Sequence, residues 1–165
     1  MKPRVLNIKL IKSPEEANAF LFGLVFNQNQ KAERAWNAPY VLKERLGTLD
    51  PKEILSVPSV LLQKSFEERP ALHPFILRTA QHIYGACQLL VTEYYSDARN
   101  VWCGNKTTTE VIRELQKFPG IGKHKAVVGV FLLQRHLGVA IKDDGFRLNI
   151  RTTCPSLYAI YGGEE

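Results

Sequence analysis

Cysteine, methionine and long apolar runs are scarce in this chain, which has three cysteines and one methionine among 165 residues. Cys87, Cys103 and Cys154 are too few and too widely spaced for a disulfide framework, a four-thiolate zinc site or a four-thiolate iron–sulfur cluster. That usage fits a reducing cytoplasm. The longest uninterrupted apolar stretch, 126–133 with Gly129 inside it, falls far short of the ~20 residues that span a bilayer, so no membrane insertion is expected. The N-terminal MKPRVLNIKLIK is basic but has neither a long apolar core nor a small-residue cleavage site, and does not read as a signal peptide. His73, His82, His124 and His136 have no carboxylate or thiolate at metal-ligand spacing. No period-two alternation rivals the helical patterns in strength, which argues against a sheet-based fold.

What the chain does have is enough apolar content, 45%, for a single soluble domain over 1–165, or two small lobes sharing a core. Twenty-two Lys and Arg against sixteen Asp and Glu give a formal charge of +6, a bias towards polyanions. Helix-start signals recur along it. Ser13-Pro14-Glu15-Glu16 offers an N-cap, a proline at the first helical position and an early carboxylate, followed by an apolar face of Ala17, Phe20, Leu21, Leu24 and Val25. Four amides, Asn27 to Gln30, interrupt the pattern. One or two further helical turns then run through Ala32, Ala35, Trp36, Tyr40, Leu42 and Leu46 and stop at Gly47. Asp50-Pro51-Lys52-Glu53 repeats the start signal. Beyond a turn bracketed by Pro70 and Pro74, apolar residues from Ile76 to Tyr94 recur at spacings of three and four, predicting the longest helix and a central core element. The last seventeen residues, 149–165, carry only weak signals.

A capping pattern from Thr107 to Glu110 opens a helix that runs into Phe118-Pro119-Gly120-Ile121-Gly122, after which a very apolar helix follows from Lys123 to about His136. Two helices joined this way, at about 108–136, make a helix-hairpin-helix candidate. Gly120 and Gly122 can take positive φ and let a phosphate approach, and the free N–H groups and dipole of the following helix favour an anion there. Lys123, His124 and Lys125 add Coulomb attraction that weakens with salt. Gly120, Ile121, Gly122, Lys123, His124 and Lys125 are therefore the candidate backbone-binding residues for double-stranded DNA, contacted without reading sequence. The plainer reading is a tight turn between helices with a glycine cap and a solvated basic helix start.

The segment Leu115–Gly122, followed by Ala126 and an apolar helix, resembles the hairpin of the HhH-GPD superfamily of base-excision DNA glycosylases. Upstream, 24–30 is similar to the glutamine-containing helix end that these enzymes place beside a flipped nucleotide. Downstream, Lys142-Asp143-Asp144 stands where the superfamily has a Gly/Pro-Asp segment, with Asp144 at 24 residues after Gly120. The resemblance covers roughly Pro14 to Leu148. Residues 39–42, 44–47, 68–73 and Val101-Trp102 also resemble a group of small bacterial HhH-GPD proteins with no settled activity. That group runs into Gly-Trp-Arg where this chain has Lys142 to Arg147. The fold implied is all-α, of HhH-GPD type, with a short C-terminal end.

The resemblance implies a DNA N-glycosylase-like protein of base-excision repair, a cytoplasmic, nucleoid-associated monomer. A carboxylate near C1′ stabilises the positive charge that develops on the sugar, and Asp144, with Asp143 as alternate, is the candidate. Equally, adjacent aspartates cap a following helical turn. Strand-cutting members carry a lysine nucleophile where this chain has His124, and Lys125 projects about 100° further round the helix, so monofunctional hydrolysis is expected. Gln28 matches the wedge that fills the gap left by a flipped nucleotide, with Asn27, Asn29 and Gln30 beside it; the alternative is an amide-rich helix end satisfying its own backbone. Phe26, Trp36, Tyr40 and Trp102 are candidates for stacking in a base pocket, though aromatics at helical spacing are more often core. The resemblance also places the backbone carbonyls of Gln116, Phe118 and Ile121 around a sodium or potassium ion, with no other cofactor required and no iron–sulfur cluster. Two other functions stay open: a non-catalytic helix-hairpin-helix DNA-binding module, and a helical interaction protein.

Overall fold

The computed structural model describes residues 6–162, and its described residues form ten α-helices without a strand. The backbone groups into two compact units. One holds residues 6–100 with the turn 118–120; the other holds 101–117 and 121–162.

The first unit begins with α1 (Pro14–Phe26), in which Pro14 takes the first helical position as predicted. Ser13, at the N-cap, leaves the backbone N–H groups alone and donates its hydroxyl to Glu16. Every residue from Ala17 to Phe26 is buried, so α1 is a core helix on all sides and not the amphipathic one its apolar face predicts. Buried Asn18 is satisfied by the 96–98 loop, donating to the Ser96 carbonyl at 3.1 Å and accepting from the Ala98 N–H at 2.9 Å. α2 (Ala32–Leu46) packs on α1 and runs longer than the sequence signals, through Pro39, to a left-handed Gly47 at φ 81°. The fit between them is close: a Cβ on Gly23 would lie 2.3 Å from the Trp36 ring.

Asp50 caps α3 (Pro51–Ser56) by accepting from the Lys52 N–H at 2.9 Å. α4 (Ser59–Glu67) follows Pro58, which offers no capping side chain and so no sequence signal. α5 (Ile76–Glu93) is the longest helix, as expected, but it is amphipathic, with Thr79, Ala80, Ile83, Ala86, Cys87 and Leu90 inward. The core position predicted for it belongs to α1. The turn 118–120 packs on α5: Phe118 stacks on Tyr94 at 5.5 Å between centroids, and Pro119 lies against Gly85, where a Cβ would meet it at 2.9 Å.

In sequence, the short α6 (Arg99–Trp102) straddles the boundary between the units. The second unit is built on α7 (Thr108–Gln116) and α8 (Lys123–Phe131), which pack together. α7 starts with the predicted capping box, in which Thr107 and Glu110 satisfy each other's N–H groups at 3.3 and 2.8 Å. α8 continues to His136, and its last turn widens to π-helical over Leu132–His136. The segment after it crosses back to the start of α7, where the Thr108 N–H donates to the Lys142 carbonyl at 2.9 Å. The weakly signalled tail forms α9 (Ile150–Thr153) and α10 (Pro155–Tyr161); residues 163–165 lie outside the described residues.

Candidate nucleic-acid interface

Gly120 takes the predicted positive φ, 80°, and its missing side chain matters twice over, since a Cβ there would meet the His82 ring at 2.6 Å. Gly122 behaves differently from expectation. Its φ of −87° and ψ of −173° are extended, and it serves as the N-cap of α8 without any side chain to satisfy the helix start. The first bond of α8 runs from the Ala126 N–H to the Gly122 carbonyl, so the N–H groups of Lys123 and His124 lie ahead of the ladder and bond to nothing among the described residues. Gly122, Lys123 and His124 are exposed, and Ile121 is buried beneath them. This is an open, uncapped helix start with the positive end of the helix dipole behind it.

Lys125 corrects the sequence reading. Grouped there with the surface cations, it is buried, 9% exposed, and burial pushes its ammonium down to about 8. The exposed charge at the start of α8 therefore belongs to Lys123, with the exposed His124 beside it. The Lys123 ammonium lies 5.9 Å from the centre of the Phe146 ring, which ties the helix start to the loop after Asp144.

The two aspartates of that loop have structural partners. Asp143 accepts from the Gly145 N–H at 2.9 Å. Asp144 accepts from the Phe146 N–H at 3.2 Å and, across 35 residues of sequence, from the Thr109 N–H at 3.0 Å in the first turn of α7. The cap is real, but it serves α7 rather than the following helical turn. The Asp144 carboxyl is solvent-exposed and held down at about 2, first by the Thr109 hydroxyl and then by the N–H groups of Thr109 and Phe146. Because that value lies below the ordinary 3.8, the cap contributes stability above the ordinary carboxylate range and loses it as pH falls from about 4 to about 2. Acid titration of Asp144→Ala should lack the stability decrement that the parent shows in that window. Identical profiles would show that the carboxylate does not hold α7.

In the first unit, the amide run satisfies its own helix end in part. The Gln30 side chain donates to the Phe26 carbonyl at 2.8 Å, at the C-terminus of α1. His73 fixes the loop from the other side. Its Nδ1 accepts from the Phe75 N–H at 3.0 Å, which leaves Nε2 to donate to the Gln28 carbonyl at 2.6 Å. Gln28 and Asn27 are half-buried and Asn29 is exposed in the left-handed region, φ 53°. Nothing in the sequence pointed to His73 as the anchor of this loop.

Most of the aromatic candidates lie in the core. Phe26 and Trp36 are 0% and 2% exposed, with Phe26 stacked on Phe66 and Trp36 beside Phe20; in the other unit, Trp102 is 1% exposed. A ring packed on all sides by protein has no face left for a base. Tyr40 is half-buried under the Lys9 ammonium, and burial raises its hydroxyl to about 12. No three His, Cys, Asp or Glu side chains cluster as metal ligands among the described residues, and no described helix is long and apolar enough to cross a membrane.

No family model matches the chain, and no curated protein matches it. Among solved structures it is similar to endonuclease III in a trapped covalent intermediate with DNA, an estranged-adenine complex, with a TM-score of 0.52 and 20% identity. The match covers 74% of this chain and 49% of the other, so the chain spans about half the length of the protein it matches. The likeness is one of fold: all-α, of the endonuclease III type.

Proposed function

We propose that this chain is a duplex-DNA-binding protein with a glycosylase-type fold, gripping the sugar–phosphate backbone at the start of α8 without reading sequence. The observation that carries this reading is the exposed, uncapped N–H pair of Lys123 and His124 behind an open Gly122, backed by the Lys123 ammonium. The DNA complex of the structurally similar endonuclease III supports it. A monovalent cation on the Gln116, Phe118 and Ile121 carbonyls would add positive charge at the turn. Binding to an undamaged duplex should be independent of sequence and should weaken linearly in log–log dependence on salt. A duplex affinity that ignores salt would overturn this reading.

A second reading, favoured by the exposed Asp144 carboxylate, ionised at neutral pH, adds hydrolysis of an N-glycosidic bond, with that carboxylate stabilising the oxocarbenium character of the sugar. In the first unit, Gln28, held at its carbonyl by His73, is the wedge candidate. With His124 at the lyase position and Lys125 buried, no strand cleavage is expected. A panel of duplexes, each with one lesion, separates the two readings. Abasic product from the parent and none from Asp144→Asn establishes the chemistry; binding without product on every lesion leaves the DNA-binding reading alone.

A further inference from the structure

Three arginines of the second unit, Arg135, Arg147 and Arg151, gather round one cavity. Arg45 and Arg99 are committed to carbonyls or carboxylates. Arg135, Arg147 and Arg151 are exposed, and none makes a hydrogen bond or ion pair among the described residues. All three line a single cavity of about 460 Å³, together with Phe146, Asn149 and Tyr158. Among the described residues, no carboxylate contributes to its wall. Asp143 and Asp144, in the same loop, do not line it; Asp143 accepts from the Gly145 N–H and Asp144 from the N–H groups of Thr109 and Phe146. Gathering three guanidiniums round a concavity without a counter-charge costs folding free energy through mutual repulsion, and a bound polyanion relieves that cost. The volume lies within the range of sites for small molecules and nucleotides, about 300–1,000 Å³.

We propose that this cavity is a second phosphate-binding site, which takes phosphates of a nucleic-acid strand beyond the one held at the start of α8. This deepens the DNA-binding reading and rests on it for the identity of the strand. Continuity supports a strand over a free nucleotide. Phe146 lines the cavity with one part of its surface and lies under the Lys123 ammonium with its ring, so the cationic surface runs from the helix start into the arginine cluster. Guanidinium forks match phosphate oxygens in pairs, and Phe146 and Tyr158 offer ring surface to a base.

Three measurements test it, on the parent and on Arg135→Gln/Arg147→Gln/Arg151→Gln, whose side chains are exposed enough for the fold to survive. In the parent, inorganic phosphate should shift the guanidinium Nε–H resonances of these arginines saturably; unmoved resonances would overturn the site. The triple variant should lose about 3 units from the slope of log affinity against log salt for a duplex, one per phosphate contact removed. An unchanged slope would overturn the strand assignment. An oligothymidylate should displace dTTP from the cavity; dTTP that binds more tightly and resists displacement would assign the site to free nucleotides and overturn it as a strand site. A Gly122→Asp variant, whose carboxylate would cover the Lys123 and His124 N–H groups, separates this proposal from the helix-start reading. Unchanged duplex affinity there, with loss in the triple-arginine variant, removes the role of the α8 start and leaves the cavity standing.

Discussion

Replacing Gly122 by Asp should make the protein more stable and worse at binding DNA, two opposite effects from one atom group. Gly122 has extended backbone angles that any residue adopts, and a Cβ there meets nothing within 4 Å. An aspartate at this N-cap would accept from the N–H groups of the first turn and complement the helix dipole, for a gain of about 0.5–1 kcal/mol. The same carboxylate would occupy the place of the phosphate and repel it. Duplex affinity should fall by about tenfold or more, with about one unit lost from the salt slope. Thermal denaturation and a salt-dependent binding titration on the same preparation read both. Raised stability with undiminished binding would show that DNA does not approach the start of α8. Because the variant is expected to be more stable, loss of binding cannot be ascribed to unfolding.

Trp36→Ala should cost about 3–5 kcal/mol, the largest stability effect of any single change considered. The indole is 2% exposed, lies 5.4 Å from the Phe20 ring and fills the space above Gly23. Its removal leaves a cavity between α1 and α2, where α1 is buried from Ala17 to Phe26 and already packed on its other faces. In a chain of this size the melting temperature should drop by roughly 10 °C or more. Trp36→Phe should cost far less, because the indole N–H has no acceptor among the described residues and its loss removes a buried unsatisfied donor. Gly23→Ala supplies the converse test. In the parent its Cβ would clash with the Trp36 ring, whereas in the Trp36→Ala background it enters vacated space, so the two changes should be strongly non-additive. Equal costs for Gly23→Ala in the two backgrounds would rule out this packing. A role for Trp36 in stacking on a base predicts the reverse pattern, with near-normal stability and weakened DNA binding.

These two residues show what kinds of information were legible. Gly122 stands out in the sequence from its place between two helices, and it sits at the start of α8; its extended conformation is not legible there, because a glycine's φ is set by the path of the chain on either side. Trp36 was visible as a large aromatic at helical spacing, but periodicity does not tell a ring packed in the core from one lining a pocket. His73 carried no motif, and its tie to Gln28 spans 45 residues of sequence. The arginines of the cavity were visible as basic residues, yet neither their convergence nor their lack of partners can be read from composition.

By itself the sequence determined the local features. These are the helical class, the proline and capping-box starts of α1 and α7, the glycine stop of α2, the hairpin and the basic charge, since caps, turns and amphipathic faces depend on residues within about four positions of each other. Tertiary structure alone decided that α1 is buried on every side, that Lys125 is withdrawn from the surface, that Asp144 caps a helix begun 36 residues earlier, and that three unpaired arginines share one cavity. Each depends on which distant segment packs opposite a residue. Burial, desolvation and through-space hydrogen bonds follow that packing, and no local pattern encodes it.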